Sequence, residues 1–483
     1  MHPLPPIALR EPDQQVGGEI ELAVNTEAGL FLAGWLNDPN SLIAGLRVLS
    51  PFGTAFPPTT WIQRYPREDV AKLYPATPRG SAAAPFGFVA FLPGFTEPAP
   101  VLQYQVRLTL RSGTSLELVP RVLATEDAQG RDAIMQAIPP RHLTKDLLRQ
   151  TIAPPAASLH RAFMAARKPP AIVAYGVPVA QPEVSIIVPV YRNLEFLRSQ
   201  HAALAFDPET RAAELIYVLD SPEQRQAFER MLRGLYAIYA MPCRLVVMSG
   251  NYGFAAACNA GATLATGRLL LPLNSDVVPA MQGWLGTLVG AIDGSKRIGA
   301  VGAKLLYDDD SLQHAGLYFA QDADEAWHNH HFHKGYPRDY PEANCARLVP
   351  GVTGAAMLLR RDAFQEVGGF TEDYIIGDYE DSDLCLKLRA AGFDIWYEPA
   401  AELYHFERRS MPLNGAYWRS NVSEYNRLLH EHFWHGSMAW LAEAELEHSV
   451  NQVVVPARHR RRAWSELELL DSAPAQALAV KAR

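Results

Sequence analysis

Unbroken apolar runs dictate what the second half of this chain can fold into. Val184–Val190 (VSIIVPV), Leu215–Leu219 (LIYVL) and Arg268–Leu273 (RLLLPL) lack alternating polar positions, and Cys243–Met248 (CRLVVM) is nearly as apolar. A strand that is apolar throughout is buried on both faces, which requires helices on both sides of a parallel sheet. Stretches of helical period stand where such helices belong: one from Leu194, one through Phe228–Tyr239 and one over Ala255–Ala265. In sheets of this kind ligands bind beyond the carboxyl ends of the strands. Polar residues stand at those ends here: Tyr191, Asp220, Asn251 and Asp276.

The N-terminal part obeys another rule. Glu19–Val24, Leu30–Leu36, Leu42–Leu49, Phe86–Leu92, Val101–Leu110 and Leu116–Val122 are short, rich in β-branched and aromatic residues, and separated by Gly, Pro and Asn. No helical stretch is expected among them, and the set predicts an antiparallel β-sandwich over residues 1–123. Trp35, Trp61 and Tyr65 suit either its core or a sugar-stacking surface. Residues 124–182 predict a helical connector, with helices over Asp127–Ile138, Leu143–Ile152 and Ala156–Arg167 stopped by Pro139-Pro140, Pro154-Pro155 and Pro169-Pro170. The α/β region is expected over 183–412 and a helical extension and tail over 413–483. The aromatic-rich stretch Trp418–Trp440 either packs on the α/β region or lies on a bilayer.

Composition removes whole classes of function. With 483 residues, two or three domains are expected, at roughly 100–200 residues each. A formal net charge of -8 argues against a nucleic-acid binder. Cys243, Cys258, Cys345 and Cys385 are far apart and read as the reduced, mostly buried thiols of a cytoplasmic protein. The start has no secretory pattern, and no window approaches the roughly 20 apolar residues of a spanning helix.

Four clusters carry chemistry. Asn274-Ser275-Asp276 follows RLLLPL directly; an amide and a carboxylate at a strand end suit a hard divalent cation, although a plain turn uses the same residues. Gly377-Asp378-Tyr379-Glu380-Asp381-Ser382-Asp383 puts four acids before a short buried helix that ends at Gly392. Capping and dipole complementarity account for one or two of these carboxylates, not four, because close like charges repel unless a cation or substrate hydroxyl offsets them. His405, followed by Arg408 and Arg409, suits either a metal and diphosphate site or a basic loop. Trp327–His333 holds four histidines in six residues, but the spacing matches no usual zinc pattern, and a substrate-side loop is expected. Dinucleotide and P-loop glycine motifs are missing.

Taken in order, these pieces resemble inverting glycosyltransferase family 2, of the GT-A fold, in its bacterial type with an N-terminal accessory β domain. The matching stretches are VSIIVPVYRN (184–193), the strand ending in Asp220-Ser221, NYGFAAACNAG (251–261), LLPLNSD (270–276), QHAG (313–316), VTGAAMLLRRDAFQEVGGF (352–370), DYEDSDLCLKLRAAG (378–392) and LYHFERRS (403–410). The resemblance implies a nucleotide-diphospho-sugar donor, a glycan or lipid-linked acceptor, Mg²⁺ or Mn²⁺ as cofactor, and no nucleic acid partner. It implies that Pro189, Tyr191, Asp220, Asn251, Asn274 and Ser275 bind the donor nucleotide. Asp276 and His405 hold the metal, Asp381 is the general base with Glu380 beside it, and Gly354, Asp383 and Arg408 face the acceptor or sugar. Many members have Asp where this chain has Asn274, which implies a more weakly held cation. The expected place is cytoplasmic, with any membrane contact peripheral. Two other functions fit parts of the pattern: a sugar-1-phosphate nucleotidyltransferase, and a non-catalytic carbohydrate-binding protein.

Overall fold

The computed structural model describes residues 16–38, 41–49, 62–73, 85–94, 105–118, 120, 127–406 and 420–446. The described residues divide into two compact units, one of those up to 166 together with 420–425, the other of 167–406 and 426–446.

The first unit contains β1 (Gly17–Thr26), β2 (Gly29–Asn37), β3 (Ile43–Leu49), β4 (Gln63–Tyr65), β5 (Gly87–Pro93), β6 (Gln105–Leu110) and β7 (Ser115–Leu118). Two antiparallel sheets, ordered β1-β2-β5-β4 and β3-β6-β7, close on one core. Ile20, Leu30, Leu32 and Phe88 from one sheet meet Leu46, Val48, Val106 and Leu108 from the other. The expected sandwich is therefore present, with one difference. β4 and a one-turn helix, Glu68–Ala71, interrupt the set of strands. Trp35 and Tyr65 are interior: Trp35 packs with Val70, Ala71 and Phe86, and the Tyr65 hydroxyl donates to Ala137 O at 2.9 Å. Trp61 lies outside the described residues.

Helix Asp127–Gln136 follows. A second helical run starts at Lys145, where the Thr144 hydroxyl caps it by accepting the Leu147 N–H. Pro154-Pro155 does not stop this run, contrary to the sequence expectation. A π turn over Leu148–Ile152 leads into helix Ala153–Ala165, which places both prolines in its first turn. The change from π to α pairing at this junction puts the prolines in the first α turn rather than in the interior of the α-helix.

The second unit is built on one large sheet. Its strands are β8 (Ala171–Tyr175), β9 (Val184–Val190), β10 (Glu214–Leu219), β11 (Cys243–Val247), β12 (Leu269–Pro272), β13 (Val277–Pro279), β14 (Ile298–Leu306), β15 (Leu312–His314), β18 (Arg347–Leu348), β19 (Met357–Arg360) and β20 (Asp394–His405), with β16 (Leu317–Gln321) and β17 (Trp327–His331) forming a separate hairpin. The main order is β13-β20-β14-β19-β12-β9-β10-β11-β8. β12, β9, β10 and β11 run parallel, as their unbroken apolar sequences require. β14 and β20 are also parallel to each other, but β8, β13 and β19 pair antiparallel, so the sheet is mixed. Helices Glu195–Phe206, Arg225–Tyr239 and Phe254–Leu264 fill the connections where the sequence places them. The histidine-rich segment is strand β17 rather than a loop.

From Asn426 onward, helix Val422–Leu446 packs within this unit. Asn426 bonds the backbone at Ile375 and Gly377, and Trp434 Nε1 donates to Asp383 at 2.7 Å. Packing thus buries Phe433 and Trp434, while Trp440 is half-buried. Trp418 lies outside the described residues.

Candidate active site

The polar residues at the strand ends assemble into three groups, all within the second unit. At the end of β10, the Asp220 side chain accepts the Tyr252 N–H (2.9 Å) and the Gly253 N–H (2.7 Å), one on each oxygen. These bonds pin the NYGF turn at the start of helix Phe254–Leu264. Burial nevertheless pushes the Asp220 carboxyl up to about 8, against the pull of the two N–H donors. Tyr191 is hydrogen-bonded by the Asn251 side chain, and burial raises its phenol. The Arg192 guanidinium lies over the Tyr191 ring, 5.2 Å from its centroid. Tyr191, Asn251 and Asp220 therefore form one wall, with half-buried Pro189 on β9 beside Val218.

The second group lies at the end of β12. Asp276 Oδ1 is 3.4 Å from His405 Nε2, and the Asn274 amide nitrogen is 3.5 Å from the same Nε2. Antiparallel pairing of β13 with β20 sets Val277 opposite His405 and brings the two segments together. On its other side the His405 ring meets Gln313 Oε1 at 2.7 Å, so Nδ1 carries a proton. Asp276 Oδ1 and His405 Nε2 thus face each other, and a carboxylate oxygen beside an imidazole nitrogen is a donor set that fits a divalent cation. Among the described residues no group of three or more His, Cys, Asp or Glu converges on a metal position. Two protein ligands suit an ion that keeps water and phosphate oxygens in its shell. Half-buried Ser275 lies in the turn between Asn274 and Asp276.

The third group surrounds Asp381, in the first turn of helix Glu380–Ala390. Its Oδ2 accepts the Gly354 N–H at 2.9 Å, its Oδ1 the Ser382 N–H at 2.7 Å, and the Thr353 side chain bonds it as well. Burial outweighs these donors and holds the carboxyl above the usual range. Gly354 makes this approach possible, since a Cβ there would lie 3.3 Å from Asp381 Cβ and 3.2 Å from the Phe254 ring. The Asn274 N–H donates to Ala355 O at 2.9 Å, which joins this group to the second. Ile376, Asp378 and Tyr379, just ahead of the helix, all have positive φ (67°, 79° and 73°). For non-glycine residues such strain tends to mark functional segments.

The remaining acids of the cluster have other positions. Glu380 is buried, its Oε2 has no hydrogen-bond partner among the described residues, and burial beside Asp381 and Asp378 pushes its carboxyl well up. Asp383 is fully buried and bonded by Thr371 (2.5 Å), Tyr374 (3.4 Å) and Trp434 (2.7 Å), with Lys387 Nζ at 3.6 Å. That is the geometry of an interior anchor, not of the sugar-side contact expected from sequence. The helix ends as expected: Gly392 adopts φ 94°, and the Phe393 N–H reaches back to Leu388 O. Arg408 lies outside the described residues.

Sequence reasoning missed Gln313, His314 and Thr353. The first two stood inside the QHAG stretch without a role, and Thr353 precedes a glycine that was noticed. The histidines of β17 do not converge as a metal site. His331 Nδ1 meets His314 Nδ1 at 2.8 Å, and half-buried His328 meets Asp322.

Residues 185–368 match the family model described as Glycosyl transferase family 2. The O-antigen biosynthesis protein RfbC of Myxococcus xanthus is 30% identical over 235 residues, covering 47% of this chain and 18% of RfbC. An uncharacterised protein of Sinorhizobium fredii, y4gI, is 31% identical over 230 residues, covering 47% of this chain and 25% of that protein. The alignments thus span a quarter or less of these relatives' length. The crystal structure of GalNAc-T7 with UDP, GalNAc and Mn2+ aligns with a TM-score of 0.43 at 16% identity, covering 57% of this chain and 52% of that one. The mixed sheet and its flanking helices form an α/β domain. Over residues 185–368 the chain is thus similar to glycosyltransferase family 2.

Proposed function

We propose that the second unit transfers a sugar, with inversion, from a nucleotide-diphospho-sugar to a hydroxyl of a glycan or lipid-linked acceptor in cell-surface polysaccharide assembly. The observation that carries this reading is the Asp381 carboxylate, oriented by the Gly354 and Ser382 N–H groups, with the adjoining Ala355 carbonyl bonded directly to the Asn274 N–H. The family match supports the transferase, and RfbC, named for O-antigen biosynthesis, supports a surface glycan as product.

In this reading Tyr191, Asn251 and Asp220 hold the nucleotide. Each Asp220 oxygen keeps a second lone pair for a base N–H after accepting its backbone donor. Asp276 and His405 would hold Mg²⁺ or Mn²⁺, which when bound neutralises charge on the leaving diphosphate. Asp381 orients the acceptor hydroxyl and takes its proton as the oxygen attacks the anomeric carbon from the face opposite the diphosphate. The new C–O bond forms as the bond to the diphosphate oxygen breaks, and the bonding pair leaves with the diphosphate. A single displacement inverts the configuration, so no carboxylate nucleophile is needed. The raised Asp381 carboxyl makes a stronger base than an exposed aspartate.

The test is a panel of nucleotide sugars, read by thermal shift and by donor hydrolysis, with Mn²⁺ and after stripping with EDTA. The expected result is one preferred donor, hydrolysis that disappears on stripping and returns with Mn²⁺, and a sharply higher Mn²⁺ requirement in Asp276→Ala. Undiminished hydrolysis after stripping contradicts the cation's role, and no donor binding across the panel contradicts the reading as a whole.

A further inference from the structure

Gln313 and His314 are consecutive residues of β15, 2% and 0% exposed. Successive side chains of a strand leave it in opposite directions, and these two reach different parts of the site. Gln313 Oε1 accepts the Nδ1–H of His405 at 2.7 Å. His314 Nε2 accepts the Thr353 N–H at 3.4 Å. Thr353 in turn bonds Asp381 through its side chain, and the next N–H, that of Gly354, bonds Asp381 Oδ2.

We propose that this dipeptide holds the cation end and the base end of the site in fixed relation, with Gln313 a positioning residue for His405 and His314 a positioning residue for Asp381. The inference rests on the roles given to His405 and Asp381 above. Two polar side chains at these positions cost stability unless each meets a partner, and apolar residues of similar volume would fill the space without that cost. Each meets its partner on the opposite end of the site. Accepting from Nδ1–H fixes the His405 ring with Nε2 toward Asp276 and increases the basicity of that nitrogen.

The tautomer of His314 follows from its contacts. Nε2 accepts from Thr353, so the proton sits on Nδ1 and is donated to His331 Nδ1 at 2.8 Å. Burial, together with His331, His405, Arg347 and Lys334, holds the His314 imidazole well below its ordinary value, so it stays neutral and keeps Nε2 as an acceptor. The strand itself is anchored, since β15 pairs with β14 at Leu305–His314 and Leu306–Leu312.

The two halves predict separable effects. Binding of Mn²⁺ alone is measured by calorimetry. Ionisation of Asp381 is measured by carboxyl ¹³C NMR, with its signal assigned from the Asp381→Asn spectrum. The groups facing Asp381 are Thr353, Gly354, Ser382, Glu380 and Cys385. Gln313→Leu should weaken Mn²⁺ binding roughly 10–100-fold and leave the Asp381 midpoint in place. Gln313→Glu, which also accepts from Nδ1–H, should restore binding. His314→Leu should move the Asp381 midpoint upward, because Thr353 and Gly354 favour its ionised form, and keep Mn²⁺ affinity within about threefold, as expected for independent sites. His314→Gln, whose amide oxygen accepts from Thr353, should return the midpoint. If a leucine variant fails to fold, Gln313→Asn and His314→Asn shorten the reach of the acceptor and carry the same expectations. Unchanged Mn²⁺ affinity in Gln313→Leu overturns the proposal, as does an equal shift of both readouts in either variant. A wild-type protein that binds no Mn²⁺ overturns the cation reading together with the Gln313 half, while the NMR arm still decides His314.

Discussion

The Asp220 carboxyl is 3% exposed, bears a backbone N–H on each oxygen, and is pushed by burial up to about 8. In an unfolded chain an aspartate titrates near 3.9, so between roughly pH 4 and pH 8 the folded protein keeps a proton that the unfolded chain releases. Stability linked to this group is therefore highest below pH 4 and falls as pH rises to 8. Glu380 is raised in the same direction and adds to that slope. We expect urea midpoints measured from pH 5 to pH 8 to fall more steeply in wild type than in Asp220→Asn, whose amide does not titrate. Equal slopes would mean that the two N–H donors win and the carboxylate is ionised throughout. Sequence identified Asp220 by its place at a strand end. It did not disclose that the backbone of the NYGF turn is its nearest partner, because that contact joins residues about thirty positions apart. The same limit hid Gln313 and His314, whose partners lie at 405 and 353.

At the scale of elements, the parallel strands were legible because continuous burial leaves an unbroken apolar run. β8 was not: AIVAY is five residues long between proline-rich stretches, and its half-buried pattern resembles a connector. β20 carried a signal that went unread, since buried Ile395, Tyr397, Ala401, Leu403 and His405 fall on alternate positions over twelve residues. The π turn before Pro154 was not legible, because the proline pair alone signals a stop. One close approach fixes the Asp381 loop against the NYGF turn. Gly253 has φ 89°, the Phe254 N–H donates to Ile376 O at 2.7 Å, and a Cβ on Gly253 would fall 2.5 Å from that same oxygen. Gly253→Ala should therefore cost roughly 2–4 kcal/mol, from left-handed strain plus overpacking, and should weaken nucleotide binding by displacing the Asp220 contacts. Chemical denaturation and a nucleotide titration check this. A cost near zero would mean that the loop shifts freely.

For the whole molecule, all the candidate site residues that the structure describes fall in the second unit. Arg167 begins that unit and pairs with Glu372 at 2.9 Å, and β8 is part of its sheet. We propose that the β-sandwich is dispensable for the chemical step and serves the acceptor or a partner. A fragment of residues 167–446 should keep donor binding and donor hydrolysis within a few-fold, while transfer to a large acceptor weakens. A soluble, folded fragment that no longer binds donor would place part of the site in the first unit. Among the described residues no helix is long and apolar enough to cross a membrane.

The central claim is that Asp381 takes the acceptor's proton in a direct displacement, and one comparison tests it most directly. Donor affinity and transfer rate are measured for wild type and Asp381→Asn. The amide fills the same space but cannot accept the proton, so donor Kd should stay near wild type while kcat falls about 10²–10⁴-fold or more. A variant that retains near wild-type kcat would show that another group is the base.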